Sequence, residues 1–289
     1  MKMTRLMACI TGLVLVSCPT DNAPDQSRLQ VVATIQPLAE FVEQVGGEHV
    51  QVMIMVPPGA SPHTYEPTPN QMTQLSTAQL YVKVGTRIEF ELVWLDKLLA
   101  MNTAIQICDV SANITTITTE NHDYERNHTI DPHIWLSVRN ASTIIETIYR
   151  ALSRIDPRHE LDYHMNATAY RTKLDSLDQV IMETLAEKKH RMFITYHPAW
   201  HYLARDYHLE QQVIEVGNKV PSAKTIQQVI ETARQHRIHV VFASPQFDRR
   251  YADNIAREIN GQVILIDPLA ADYINNMGTI AHALARNME

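Results

Sequence analysis

The sequence predicts an α/β protein with two lobes of mostly parallel sheet, bridged by one long rigid helix. Three observations lead there. Short β-branched runs alternate with amphipathic helical stretches in both halves of the chain, the pattern of parallel strands covered by helices. Between the halves an unbroken helical pattern runs from Glu160 to about Lys188 without Gly or Pro. The length, 289 residues, is enough for two such lobes.

Composition narrows the function classes. Apolar residues at 45% allow a substantial core, and charge at 20% with no long like-charge run argues against disorder. A formal charge of −7 argues against a nucleic-acid partner, which calls for a basic face. Only 8 glycines speak against glycine-rich phosphate loops, whereas 14 histidines supply the commonest metal-binding side chain.

Residues 1–17 read as a signal peptide. Lys2 and Arg5 precede the apolar run Leu6–Val16, too short to span a bilayer as a helix. Leu15-Val16-Ser17-Cys18 is similar to the bacterial lipobox, so Cys18 is expected to be lipidated and to open the mature chain. Residues 18–28 then form the lipidated N-terminus and a polar tether (PTDNAPDQS). Cys108 is left as the single free cysteine in an apolar run, which excludes an intrachain disulfide and a thiolate-rich metal site. A bound metal must be held by nitrogen and oxygen.

The N-terminal lobe is expected over residues 29–158. Gln30–Ile35, Val50–Val56, Leu80–Val84 and Ala104–Cys108 read as strands, and Leu38–Val45, Asn70–Ser76 and Glu89–Ala100 as helices. Thr115–Ile130 is polar and aperiodic and reads as a loop. Val138–Ile155 is helical and stops before Asp156-Pro157. Residues 159–189 form the linking helix, with Met165, Tyr170, Leu174, Leu177, Ile181 and Leu185 as its apolar stripe, and a length of about 40 Å. The C-terminal lobe, 190–289, has strands Met192–Thr195, Gln212–Val216, His239–Ala243 and Gln262–Ile266. Its helices are Trp200–Asp206, Ser222–Gln235, Arg249–Ile259 and Tyr273–Arg286.

Ligands of open α/β sheets bind at the carboxyl ends of strands. His63 follows the second strand, His197 the strand Met192–Thr195, Asp267 the strand Gln262–Ile266, and His133 lies in the segment between the lobe cores. Each stands next to a proline, which stiffens its loop and presents the side chain at low entropic cost. Together they make a candidate N3O set suited to tetrahedral Zn2+ and closed to a water nucleophile.

At these residues the chain resembles the zinc- and manganese-specific solute-binding lipoproteins of bacterial ABC importers, also described as adhesins. The motifs are Pro57–Pro69 (PPGASPHTYEPTP), Asp131–Ser137 (DPHIWLS), Thr195–Leu209 (TYHPAWHYLARDYHL), Val220-Pro221-Ser222 and Asp267–Ala270 (DPLA), in order from about Leu29 onward. The resemblance implies two α/β lobes on one rigid helix with the metal in the interlobe cleft. It implies ligands His63 and His133 from the first lobe, and His197 and Asp267 from the second. It also implies a monomer outside the cytoplasm, in the periplasm or at the cell surface, held to the membrane through lipidated Cys18 and delivering its ion to an ABC permease. Family sites with two carboxylates take Mn2+ and those with three histidines take Zn2+, in line with ligand hardness. Zn2+ is therefore expected as transported ligand, with Mn2+ as the alternative; an adhesin or interaction lipoprotein with a structural metal is the other reading. Glu66 reads as a loop or cap residue. The loop holding His122 and His128 is too short to suggest metal gathering. His201 stands where the family usually has a residue that is not a ligand.

An enzyme is not expected. His159-Glu160-Leu161-Asp162-Tyr163-His164 superficially resembles a zinc-protease helix, but its histidines lie five residues apart, about 140° around a helix, and cannot share a metal from one face. They read as surface histidines. His197 and His201 have no glutamate between them, and no nucleophile elbow or P-loop is present.

Overall fold

The computed structural model describes residues 28–120, 128–215 and 219–288. The signal and lipidation segment, His122 and the Val216–Asn218 stretch fall outside them. The first half runs β1 (Leu29–Ala33), α1 (Gln36–Gly46), β2 (Val50–Ile54), α2 (Pro69–Leu75), β3 (Leu80–Lys83), α3 (Glu89–Met101) and β4 (Gln106–Asp109). Its four strands pair in parallel in the order β2-β1-β3-β4. α2 begins on a reciprocal cap: Thr68 accepts from the Gln71 amide while the Gln71 side chain accepts from the Thr68 amide. Gly85 lies between β3 and α3 at φ 84°, and a Cβ there would collide with the Asp109 side chain, so both conformation and space call for glycine.

Thr115–Ile130 departs from the expected plain loop. β5 (Thr118–Glu120) and β6 (His128–Ile130) form a short antiparallel pair. Strands of three residues are too short to show a periodicity. The pair ends directly at Asp131, whose amide donates to Ile117 O at 2.9 Å, and so delivers the Asp131-Pro132-His133 segment to a fixed place.

Next come α4 (Val138–Ile155) and α5 (Glu160–Ala186), the long helix of 27 residues. Its buried face is Tyr163, Ala167, Tyr170, Leu174, Leu177, Ile181 and Leu185. Met165, expected in that stripe, is 53% exposed. Tyr163 and Ala167 take the inward positions because they lie in register, three or four residues apart, with Tyr170 and Leu174. The second half runs β7 (Met192–Thr195), α6 (His201–Asp206), β8 (Glu210–Val213), α7 (Ala223–Gln235), β9 (Val240–Ala243), α8 (Arg250–Glu258), β10 (Gln262–Leu265) and α9 (Tyr273–Arg286). Its strands also pair in parallel, ordered β10-β9-β7-β8. β8 begins two residues before the expected Gln212 and ends at Val213.

One hydrophobic core runs from the first sheet through α1, α4 and α5 into α9 and one face of the second sheet, taking in Phe41, Trp135, Leu177, Phe193, Phe242 and Met277. A smaller core, with Ile194, Val241 and Ile255, fills the other face of the second sheet. The lobes therefore share a core along α5. Glu40 of α1 strengthens the junction: Tyr170 OH of α5 donates to its Oε1 at 2.9 Å and the Tyr273 amide of α9 donates to its Oε2 at 2.8 Å.

Candidate metal centre

Three strand ends and the segment after β6 converge where the two sheets meet. The loop after β2 is folded by turns, Ala60 N to Pro57 O at 3.1 Å and Tyr65 N to Ser61 O at 3.0 Å, and is pinned where the Phe90 amide donates to Pro62 O at 3.0 Å. That contact brings the first turn of α3 against His63, and His63 Nδ1 meets Glu89 Oε2 at 2.5 Å. His133 is shaped by its neighbour: Asp131 Oδ1 accepts both the His133 amide and His133 Nδ1 at 2.8 Å. Thr86 Oγ1 donates to Pro132 O at 2.8 Å and anchors that turn to the first sheet. His197 follows β7, and its Nδ1 meets Glu215 Oε2, just past β8, at 2.9 Å.

Each imidazole thus has Nδ1 engaged by a carboxylate, which leaves Nε2 for a common point. His133 Nε2 and His197 Nε2 are 3.3 Å apart. With Zn–N bonds of about 2.0–2.1 Å, two nitrogens on a tetrahedral zinc ion are separated by about 3.3 Å. One ligand atom from each of His63, His133 and His197 lies within 4.8 Å of the others. The rings are inclined, with interplanar angles of 53°, 64° and 83°, as converging lone pairs require. His133 and His197 are 4% and 3% exposed. Trp135, Phe247, Pro268 and Leu269 wall a cavity of about 10 Å3 against the histidines, the room of roughly one water-sized sphere.

Burial sets the electrostatics. It lowers the pKa of His133 despite the opposing charge of Asp131, and holds that of His197 well below the ordinary histidine value, with His133 and His63 adding to the effect. Burial thus favours the neutral form of both rings, the form that binds metal. Burial pushes Glu215 up to about 7, with His63 opposing. Burial also works to raise Asp131, but the charge and hydrogen bonds of His133 outweigh it and the carboxyl falls to about 2. Glu89 is lowered in the same way by His63.

Asp267 is placed differently from the expected ligand set. It stands outside the group of three, with Oδ1 accepting Gln246 Nε2 at 2.7 Å and the Leu269 amide at 2.9 Å. Glu66 is exposed, as a loop residue should be. His201 meets Asp131 Oδ2 through Nδ1 at 2.7 Å, so it backs His133 through a shared carboxylate. His159 is no plain surface residue: its ring stacks on His49 at 3.8 Å and its Nδ1 meets Asp156 at 2.6 Å, whereas His164 is exposed. Reading the sequence did not single out Glu89, Glu215 or Gln246. Glu215 carried a usable signal, an acidic residue at the end of a strand; an acid in the first turn of a helix, as Glu89 is, is too common to be one. A larger open groove of about 750 Å3 between β4 and α4 is rich in arginine, with Arg139 held by Asp178 and Arg150 and Arg171 by Glu146, and none of the three histidines lines it.

Fold and centre define a two-lobed α/β binding protein with an imidazole cluster where its sheets meet. The chain belongs to the family described as zinc-uptake complex component A, periplasmic, whose model matches residues 31–287. This is a family of metal-uptake components, not of enzymes. Among solved structures, a crystal structure of ZnuA shares 37% identity and superposes with a TM-score of 0.85, covering 90% of this chain and 99% of that one. The putative metal-binding protein of Chlamydia trachomatis is 32% identical over 90% of this chain and 91% of its own. The zinc-binding lipoprotein AdcA of Streptococcus pneumoniae is 29% identical over 93% of this chain but 55% of its own, so the chain spans about half the length of that curated relative.

Proposed function

We propose that this chain captures Zn2+ outside the cytoplasm and delivers it to an ABC permease in the cytoplasmic membrane, with His63, His133 and His197 as its protein ligands. The observation that carries the reading is the geometry of three imidazoles drawn from both halves of the fold, two of them with Nε2 atoms 3.3 Å apart, each oriented by a buried or half-buried carboxylate. Carboxylate–histidine pairs of this kind fix the tautomer and raise ligand basicity. Imidazole favours zinc over manganese. Asp267 is the nearby carboxylate that the sequence points to for a fourth position. One monomer carries every residue of the centre. Cys18 is the proposed lipid anchor; in support, it follows an apolar run, the related AdcA is named a lipoprotein, and no helix among the described residues is long and apolar enough to cross a membrane.

The test is competition of Zn2+ and Mn2+ against a chelating indicator for the wild type and His133→Ala, with calorimetric melting in chelator. Expected are tighter zinc than manganese binding, loss of zinc binding in the variant, and a folded metal-free protein. Tighter manganese binding or an undiminished variant overturns the assignment; a metal-free chain that unfolds near room temperature makes the ion structural.

A further inference from the structure

β4 closes the first sheet on one side, paired with β3 alone among the described residues. The amides of Gln106 and Val110 donate toward β3, to Gln79 O at 2.9 Å and Lys83 O at 3.2 Å. Backbone direction alternates along a strand, so the amides and carbonyls of Ile107 and Asp109 point to the free edge. The open groove of about 750 Å3 lies beside that edge, a volume in the range of ligand sites. Arg139, Arg150 and Arg154 line it from α4, spread along about 22 Å of that helix, and Arg171 lines it from α5. An extended segment of about six or seven residues has the same reach.

We propose that this groove docks an extended acidic segment of a partner protein, which adds as a strand to the β4 edge and sets its carboxylates against the arginines. Charge points to an acidic occupant. Four arginines face two carboxylates in the groove, on a chain whose formal charge is −7. Both carboxylates are already engaged: Asp109 by Lys83 at 2.8 Å, and Glu146 by Arg150 at 2.8 Å and Arg171 at 3.2 Å. Arg154 forms no ion pair among the described residues. The Arg150 side chain is 70% exposed, and pairs so open to water contribute little and exchange for a competing carboxylate. Guanidinium groups take carboxylates through two parallel bonds. Main-chain pairing with Ile107 and Asp109 supplies affinity, and acidic side chains at alternate positions supply selection. The docking surface does not depend on the metal reading, since no proposed ligand lines it.

The experiment screens the full chain against a library of labelled eight-residue peptides with Asp or Glu at alternate positions and varied residues between, read by fluorescence anisotropy. Binders are then compared with their Asn or Gln counterparts, with backbone N-methylated forms, and on the variants Arg154→Glu and Ile107→Pro. The proline removes an amide that points to the free edge, where the sheet does not use it. Binding is expected to weaken by about tenfold or more in Arg154→Glu, in the amide counterparts and on raising the salt concentration, as charge pairing requires. N-methylation and Ile107→Pro should weaken it to a similar extent, while zinc affinity and circular dichroism stay as in the wild type. A library without a binder overturns the proposal, as does equal binding of the amide counterparts. Undiminished binding of the N-methylated peptides also overturns it, since the groove would then hold anions without pairing a strand, and that result stands even if Ile107→Pro does not fold.

Discussion

Asp131→Asn probes the centre without touching a proposed ligand. The carboxylate receives three donors: the His133 amide and His133 Nδ1 on Oδ1 at 2.8 Å, and His201 Nδ1 on Oδ2 at 2.7 Å. Its pKa near 2 keeps it ionised across the neutral range, so its negative charge sits behind His133 whenever a cation binds. Asparagine has nearly the same shape but one acceptor oxygen. Whichever way the amide turns, one imidazole faces an NH2 group and loses its acceptor. Loss of such an outer partner weakens metal binding by about 10- to 100-fold, or about 1.4–2.7 kcal/mol, and the lost charge acts in the same direction. The assay is indicator competition with Zn2+ near neutral pH, with circular dichroism to confirm the fold. His201→Ala removes only the partner of Oδ2, so its effect should be the smaller one. Zinc affinity in Asp131→Asn within about threefold of wild type would refute the claim that this carboxylate orients His133.

Three further outcomes follow from buried ionisable groups. Zinc affinity should rise with pH up to about 7 and then flatten, because Glu215, raised to about 7 by burial, must lose its proton to support a metal-bound His197. Calorimetry in two buffers of different ionisation heat should detect the released proton, and pH-independent affinity would contradict it. In the metal-free protein His133 and His197 give a stability change of known sign. Burial holds their folded pKa values below the ordinary histidine value of about 6.5, so the unfolded chain takes up protons first and stability falls as pH drops below that value. Glu40→Ala should destabilise by about 2–4 kcal/mol, since it leaves the buried Tyr170 hydroxyl and Tyr273 amide without their acceptor. Urea unfolding measures this, and a change below about 0.5 kcal/mol would show that the junction does not depend on Glu40.

Much of the fold was legible because local patterns and tertiary structure agree. Val138–Ile155, Met192–Thr195 and Tyr273–Arg286 appear with the boundaries expected from apolar period and punctuation. The misses have local causes. β5 and β6 are three residues each, and their pairing contributes what no single strand shows. Met165 fits a helical stripe by spacing but faces out, since α5 packs mainly on α1, α4 and α9 and the contact line follows Tyr163 and Ala167. Within the centre, His63, His133 and His197 were legible from place alone: carboxyl ends of strands or inter-lobe segments, beside proline. Their carboxylate partners were less so. Glu89 is 26 residues from His63 and Glu215 is 18 from His197. Neither separation leaves a pattern in the chain.

Sequence by itself determined the strand–helix alternation, the long central helix and the identity of the side chains carried to the strand ends. These depend on residue chemistry and periodicity over a few turns. Tertiary structure alone decided where each side chain points. Asp267 obeys the same placement rule as the histidines, yet its oxygen faces Gln246, 21 residues away, and the Leu269 amide. The direction of a carboxylate is settled by which donors lie within hydrogen-bonding distance, and one of those donors, Gln246, comes from a different strand end that only the folded sheet brings near.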